Sequence, residues 1–367
     1  VPLLQVGQKI RGTYEVERFL GEGAFAEVYR VKHRFLGRQA IKVFKLVGMT
    51  LEETEEMLSE AILLSRLEHP NVIRVFDANV TETSKGTCGF FTMEHVGGGS
   101  LERYWQSHGD RFIPIETTVE IIRQVCRGLS VAHIEKPPII HRDIKPQNIL
   151  IGYDAMGIRV RVSDFGLAKR VNPLTLLATA MGTRCFKAPE VFRNHKADSC
   201  AGDVWAIGNT FYLLLTDRLP FSEIDELDVF DPSCFEKSVT PPSQLNTLAD
   251  AGLDKIAMRA LSLKPQNRYA NAIELLRALD QWKPITKSSS KPSLSSGSKA
   301  NKSALGLHSP VNEKTAKKMV REALNLAKRP DQIMIAADLM EEAFIKWPGF
   351  RENYEYLVKL WRRGIIY

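Results

Sequence analysis

Residues 141–150, HRDIKPQNIL, set an Asp and an Asn five positions apart and then turn apolar. His141, Arg142, Asp143, Lys145 and Asn148 bring a carboxylate, an ammonium and an amide beside a strand-like ILI, an unfavourable grouping unless some chemistry requires it. Two further stretches carry groups suited to phosphate. GEGAFAEV (21–28) is a Gly-rich turn between two strand patterns. Such a turn lets backbone N–H groups approach phosphate oxygens with no side chain in the way. Taken alone it reads as a plain hairpin turn. It does not match a dinucleotide fingerprint, which should open into a helix, because AEVYRVKH is a second strand. QAIKVFK then places Lys42 in an apolar strand, where it either snorkels to the surface as an edge-strand charge or is held by a partner acid. Glu60, on the helix that follows, is the candidate partner.

The elements that must position these groups are legible as periodicities. From about residue 10 to 95, YEVERFLGEG, AEVYRVKH and RQAIKVFK alternate or carry β-branched residues between Gly-bearing turns, which predicts strands. One helix interrupts them: LEETEEMLSEAILLSRLEH places Met57, Leu58, Ile62, Leu64 and Leu67 roughly on one face, with acids in its first turns. From about 114 helices dominate. IETTVEIIRQVCRGLSVAH repeats Ile122, Val125, Leu129 and Ala132 at helical spacing, and GDVWAIGNTFYLLLTD is apolar nearly all round, as in a buried helix.

Composition sets the outer bounds. The 367 residues are 44% hydrophobic and 25% charged, as in a chain with a substantial core and two or three domains. Five scattered cysteines without a C-x-x-C pair argue against a disulfide framework or zinc site and point to a reducing cytosol, hence a cytoplasmic protein. The apolar run FYLLL (211–215) is too short to span a bilayer. The first residues start from Val1 rather than Met and lack the apolar core of a signal peptide. The net charge of +7 is uneven, since residues 283–367 hold 16 Lys+Arg against 8 Asp+Glu. Within 284–310 stand nine Ser and four Lys with no acid and no aromatic, the composition of a flexible linker. Without interleaved aromatics or an amphipathic anchor, those lysines predict neither nucleic-acid nor membrane binding.

HRDIKPQN together with SDFG (163–166), after the Gly-rich turn and AIK, resembles the Ser/Thr protein kinase family over roughly residues 14–282. EHPNVI, FFTMEHVGGGSL, GTRCFKAPE, GDVWAIG and PQNRY follow in the family's order. The resemblance implies an α+β, bilobal protein kinase fold. Its N-lobe, an antiparallel sheet plus one helix, would cover 10–96 and its mainly helical C-lobe 97–283, with the linker at 284–310 and a small all-α tail at 311–367. It implies an ATP-dependent enzyme that transfers the γ-phosphoryl group of Mg·ATP to Ser/Thr hydroxyls of protein substrates, with Mn²⁺ as a substitute metal. By the same resemblance Gly21, Gly23 and Phe25 cover the phosphates, Lys42 held by Glu60 pairs the α- and β-phosphates, and Asp143 accepts the substrate proton. Lys145 neutralises charge on the travelling group, and Asn148 and Asp164 hold the metal. Met93 becomes the gatekeeper, Glu94 to Val96 the adenine-binding hinge, and Leu150, Val28 and Ala40 the walls around the purine.

Other positions follow from the same likeness. Lys145 and Thr183 match the Ser/Thr form of the catalytic loop and its neighbour. Arg142 implies control by phosphorylation, including autophosphorylation, of Thr175 or Thr179. Glu190 with Arg268 resembles a buried structural ion pair, and Asp203 the helix residue that hydrogen-bonds the catalytic-loop backbone. The third loop Gly is Ala26 and a common Tyr is Phe186; neither departure touches the transfer machinery. The compact domain looks bacterial. In the tail, Ala336, Ala343 and Pro348 lie at tetratricopeptide (TPR) spacing, with Tyr354, Leu357 and Trp361 fitting a following helix; a generic helical hairpin docked on the kinase is the equal alternative. Either form suits an interaction role, with a protein partner. The rival functions are a pseudokinase scaffold presenting the tail and a small-molecule kinase, the latter disfavoured by the complete GTRCFKAPE segment.

Overall fold

The computed structural model describes residues 2–23, 25–45, 51–109, 111–154, 157–165, 185–194, 197–221, 235, 238–284, 310–329 and 332–365, without the side chains of 51–57, 60, 193, 310–312 and 352. The chain divides into two compact units, Val1–Val96 with Asp164–Thr179, and Gly97–Ser163 with Ala180–Tyr367.

The first unit is built on a six-stranded sheet of β1 (Lys9–Ile10), β2 (Tyr14–Glu22), β3 (Ala26–His33), β4 (Gly37–Phe44), β5 (Val75–Thr83) and β6 (Gly86–Glu94). Its order is β1-β2-β3-β4-β6-β5, and each pairing is antiparallel. Alternation turns Tyr14, Val16, Tyr29, Val31, Ile41, Val43 and Phe90 into one buried cluster with Leu3 and Leu4. Register shifts between Val16 and Arg18 and between Phe19 and Gly21 bend β2 as it approaches the Gly-rich turn. Helix α1 (Leu51–Arg66) packs on β5 and β6. Its inner face is carried by Ala61 and Leu64, whereas Ile62, expected on that face, is 46% exposed. A small Ala lets the helix approach the sheet more closely than a branched side chain would.

The second unit is mainly helical. It holds α2 (Leu101–Gln106), α3 (Ile115–His133), the hairpin β7 (Ile149–Asp154) and β8 (Gly157–Val162), α4 (Pro189–Arg193), α5 (Cys200–Thr216), α6 (Pro242–Leu245), α7 (Ala251–Ala260) and α8 (Ala272–Gln281). The apolar stripe of α3 buries Ile122, Val125, Leu129 and Ala132 completely, each larger side chain contributing about 1.5–3 kcal/mol. Helix α5 starts at Ser199, whose hydroxyl accepts the Gly202 N–H at 3.2 Å. It stops at Asp217, which adopts a left-handed φ of 57°. Between those caps it is buried all round, as its uniformly apolar sequence requires.

The tail belongs to this same unit. Helices α9 (Pro310–Leu326), α10 (Ile333–Lys346) and α11 (Arg351–Arg362) share a core in which Val320, Ala336, Met340, Ala343, Phe344, Val358 and Trp361 surround Tyr153 of β7. Ala336 and Ala343 are fully buried at the contacts of α10, and Pro348 opens a 3₁₀ turn before α11. The 284–310 stretch falls almost wholly outside the described residues. Among the described residues no helix is long and apolar enough to cross a membrane.

Candidate active site

The residues singled out by sequence fall in both units. In the first, antiparallel pairing sets Lys42 of β4 opposite Val28 of β3 on one side and Phe91 of β6 on the other. Its stem is buried in the sheet and its ammonium meets the Asp164 carboxylate, 5.5 Å from the Phe91 ring centroid. An ammonium with so little water around it requires an anionic partner. Asp164 holds a left-handed φ of 63°, a conformation that costs an ordinary residue free energy and that recurs where function fixes the backbone. The side chain of Glu60 lies outside the described ones, so the expected Lys42–Glu60 pair does too.

The Gly-rich turn closes as a hairpin. Gly21 is opposite Val28, and the Gly23 N–H donates to the Ala26 carbonyl at 2.8 Å. Sequence reasoning missed Lys45. Its ammonium pairs with the Glu22 carboxylate and donates to the Gly23 carbonyl at 2.8 Å, while its own N–H donates to the Phe25 carbonyl at 2.9 Å. The hydrogen bond from Lys45 holds the Glu22 carboxyl below its ordinary value. The one signal for it is the second lysine of AIKVFK, three residues beyond the first. Ala40 and Met93 are buried cross-strand neighbours. At the end of β6 the Glu94 N–H donates to the Arg74 carbonyl at 2.9 Å, and its carboxylate accepts the Arg74 N–H at 3.1 Å; Val96 is half-buried.

In the second unit the loop before β7 gathers the opening motif. Asn148 donates its side-chain amide to both the carbonyl (2.8 Å) and the carboxylate (2.9 Å) of Asp143. Lys145 places its ammonium 2.8 Å from the same carboxylate. Lys187, also missed, donates to the Arg142 carbonyl and stands 4.0 Å from the other Asp143 oxygen. The Asp143 carboxylate is therefore held in one orientation by an amide and two cations, while a quarter of its side chain stays accessible. With its nitrogen committed to Asp143, Asn148 retains its amide oxygen, a suitable ligand for a hard cation. Leu150 sits on β7, half-buried.

The loop is suspended from α5. Asp203 accepts the N–H groups of His141 (2.7 Å) and Arg142 (2.9 Å) and the ring of His133 (3.0 Å). Burial alone would raise its carboxyl, but the hydrogen bond and charge of His133, with the charge and N–H of His141, hold it below the ordinary value. His141 is itself buried, its ring 2.9 Å from the Ser163 carbonyl. Arg142 has a left-handed φ of 68°, and its guanidinium lies 2.8 Å from Asp198. Glu190 and Arg268 form a two-bond fork at 2.7 Å each, and Arg268 also donates to three carbonyls. Thr175, Thr179 and Thr183 lie outside the described residues.

Among the described residues there is no cluster of three or more His, Cys, Asp or Glu of the kind that binds a metal unaided. The Asn148 amide oxygen and the Asp164 carboxylate are each hard oxygen donors of the kind divalent cations take.

The protein kinase domain family matches residues 14–291. Serine/threonine-protein kinase ATG1c of Arabidopsis thaliana is 34% identical over 221 residues, 60% of this chain and 29% of its own length. Serine/threonine-protein kinase PknB of Mycobacterium leprae is 32% identical over 267 residues, 71% of this chain and 42% of its own. The chain thus spans less than half of either relative. The crystal structure of the Mycobacterium tuberculosis PknI kinase domain aligns with a TM-score of 0.55 at 25% identity, covering 76% of this chain and 99% of that one. With a sheet-based unit, a helical unit and a family match across most of its length, the chain belongs to the protein kinase family.

Proposed function

We propose that this chain is an ATP-dependent Ser/Thr protein kinase that transfers the γ-phosphoryl group of Mg·ATP to Ser or Thr hydroxyls of protein substrates. The observation that carries the reading is the fixed carboxylate of Asp143, held by the Asn148 amide at 2.9 Å and the Lys145 ammonium at 2.8 Å. Phosphoryl transfer passes through a loose transition state that needs alignment and positive charge more than covalent help. Asp143 orients the substrate hydroxyl and takes its proton as the new O–P bond forms and the bond to the β-phosphate oxygen breaks, releasing ADP. Lys145 balances charge on the transferred group. Lys42 binds the α- and β-phosphates, and Gly21, Gly23 and Phe25 cover them. Asn148 and Asp164 would hold Mg²⁺, which when bound neutralises phosphate charge. Met93, Glu94 to Val96, Leu150, Val28 and Ala40 would receive the adenine. The domain bounds are taken as 10–96 and 97–283 for the two kinase lobes, 284–310 for the linker and 311–367 for a tail of TPR-like origin.

The Ser/Thr choice rests on Lys145 in the loop and on relatives named as Ser/Thr kinases. Cysteine usage supports a cytoplasmic setting, and Arg142 supports control through Thr175 or Thr179. The deciding experiment is transfer of radiolabel from γ-labelled ATP by wild type and Asp143→Asn, followed by phosphoamino-acid analysis. Label on Ser and Thr that falls by about 10²–10⁴-fold in the variant is expected. Equal signals would replace this reading with a scaffold that presents its tail.

A further inference from the structure

The run Val96-Gly97-Gly98-Gly99 follows β6 after His95, and its three glycines have different structural reasons. A Cβ on Gly98 would lie 2.2 Å from the Ile151 carbonyl oxygen of β7, whose strand also bonds the run through the Ile151 N–H to the Gly99 carbonyl at 2.8 Å. The other two glycines face the tail. A Cβ on Gly97 would lie 2.6 Å from Oε2 of Glu341, and one on Gly99, at φ 73°, would lie 3.2 Å from Cδ1 of Ile345. Both residues belong to α10. The run is therefore enclosed by β7 and by a helix more than two hundred residues later in the chain.

A carboxylate at the end of a free side chain would move aside for a methyl group. Glu341 has little freedom to do so. It is 1% exposed, and its Oε1 accepts two hydrogen bonds from Arg362, at 2.8 and 3.2 Å. Its Oε2 has no hydrogen-bond partner among the described residues and is packed against the Gly97 backbone. A second anchor fixes the same end of the tail. Arg351 at the start of α11 donates to the Ser107 hydroxyl at 2.7 Å and lies 4.5 Å from the ring centroid of Tyr104 in α2.

We infer that the C-terminal helices are a positioning element of the nucleotide site: Glu341 fixes the backbone of Gly97, and through the adjoining peptide bond the path of Glu94–Val96, so that nucleotide affinity depends on the tail. The inference rests on the assignment of Glu94–Val96 to adenine. Glu341 is a positioning residue and touches no substrate. Its contribution is volume in a fixed place, which distinguishes it from a residue that merely stabilises the fold.

The test is Mg·ADP binding by calorimetry on the full chain, with melting temperatures recorded in parallel. Wild type should bind. Gly97→Ala, whose backbone angle suits alanine, should bind at least tenfold more weakly, because the methyl group and the held carboxylate compete for one space. Glu341→Ala in the Gly97→Ala background should recover affinity to within about threefold of wild type. Glu341→Gln, which keeps the volume, should bind like wild type, and Glu341→Ala alone should bind several-fold more weakly. If Gly97→Ala does not fold, recovery of folding and binding in the double variant supports the inference equally. Wild-type affinity in Gly97→Ala, or a loss that Glu341→Ala does not repair, overturns it while leaving the kinase reading intact. Failure of the wild type to bind Mg·ADP removes the kinase reading itself, and the inference with it.

Discussion

Asp203 shows how far a single buried residue can fix a loop that lies far from it in the chain. It lies wholly inside the second unit, and its two oxygens accept three hydrogen bonds from the segment leading into Asp143 and from His133. Its carboxyl is held below the ordinary 3.8, so the charged form is stabilised in the folded state. The resulting stability is present at neutral pH and is lost as pH falls below the ordinary value and through the folded one. Asp203→Asn removes that dependence and turns an amide N–H₂ toward backbone donors. Chemical unfolding at pH 7 should show a loss of roughly 1.5–3 kcal/mol, the usual scale for hydrogen bonds to a charged group. The gap between variant and wild type should narrow near pH 3. Glu190 and Arg268 respond differently, because Arg268 is buried and its charge has no water to turn to. Glu190→Gln should cost about 3–5 kcal/mol at pH 7, which the same unfolding series would measure.

At the scale of elements, two devices set the Gly-rich turn and the tail. Lys45 bonds a carbonyl inside the turn between β2 and β3, but its partner Glu22 is more than half exposed. Water and salt screen an exposed pair of this kind. Lys45→Met should therefore raise the KM for ATP by about fivefold or less with little change in kcat, and steady-state kinetics would separate this from the near-complete loss expected at Lys42. The α10–α11 contact is governed by burial instead. Desolvation pushes Glu341 up to about 7, opposed by Arg362 and reinforced by Asp338 and Glu342. One guanidinium serves both Glu341 and Asp338, at 2.8 and 2.6 Å, so it cannot fully compensate either. A carboxyl whose folded value is raised contributes its stability below the ordinary 4.5 and loses it as pH rises through about 7. Stability should fall by roughly 3 kcal/mol across that window. Glu341→Gln should flatten the dependence and melt higher than wild type at pH 8; thermal unfolding from pH 5 to 8 checks both.

Taken as a whole molecule, what could be read in advance depended on how local each signal was. The strand alternation around Tyr29 and Val31, the stripe of α3 and the all-apolar α5 follow from periodicity, because burial of one face is decided within a few residues. Asp143, Lys145 and Asn148 lie within one short motif, so their grouping was visible in the sequence while their roles came from the family resemblance. Lys45 and Lys187 were not legible, since each acts on a group supplied by a distant turn or loop. Docking of the tail on the kinase was one of two alternatives open from the sequence, but its place was hidden: Ala336, Ala343 and Trp361 announce a helical hairpin, and nothing in their spacing says that it closes over Tyr153 of β7. That closure makes a prediction for the entire second unit. Trp361 is 2% exposed in the cluster around Tyr153 and Val358, so Trp361→Ala should cost about 3–5 kcal/mol. For a unit of this size that is a fall in melting temperature of roughly 6–20 °C. Because the cluster includes β7, the loss should spread: amide hydrogen exchange should quicken in β7 and in the Gly97–Gly99 run as well as in α10 and α11. A tail that folded on its own account would instead lose its own protection at lower temperature while β7 exchanged at the wild-type rate, and that pattern would separate the tail energetically from the kinase.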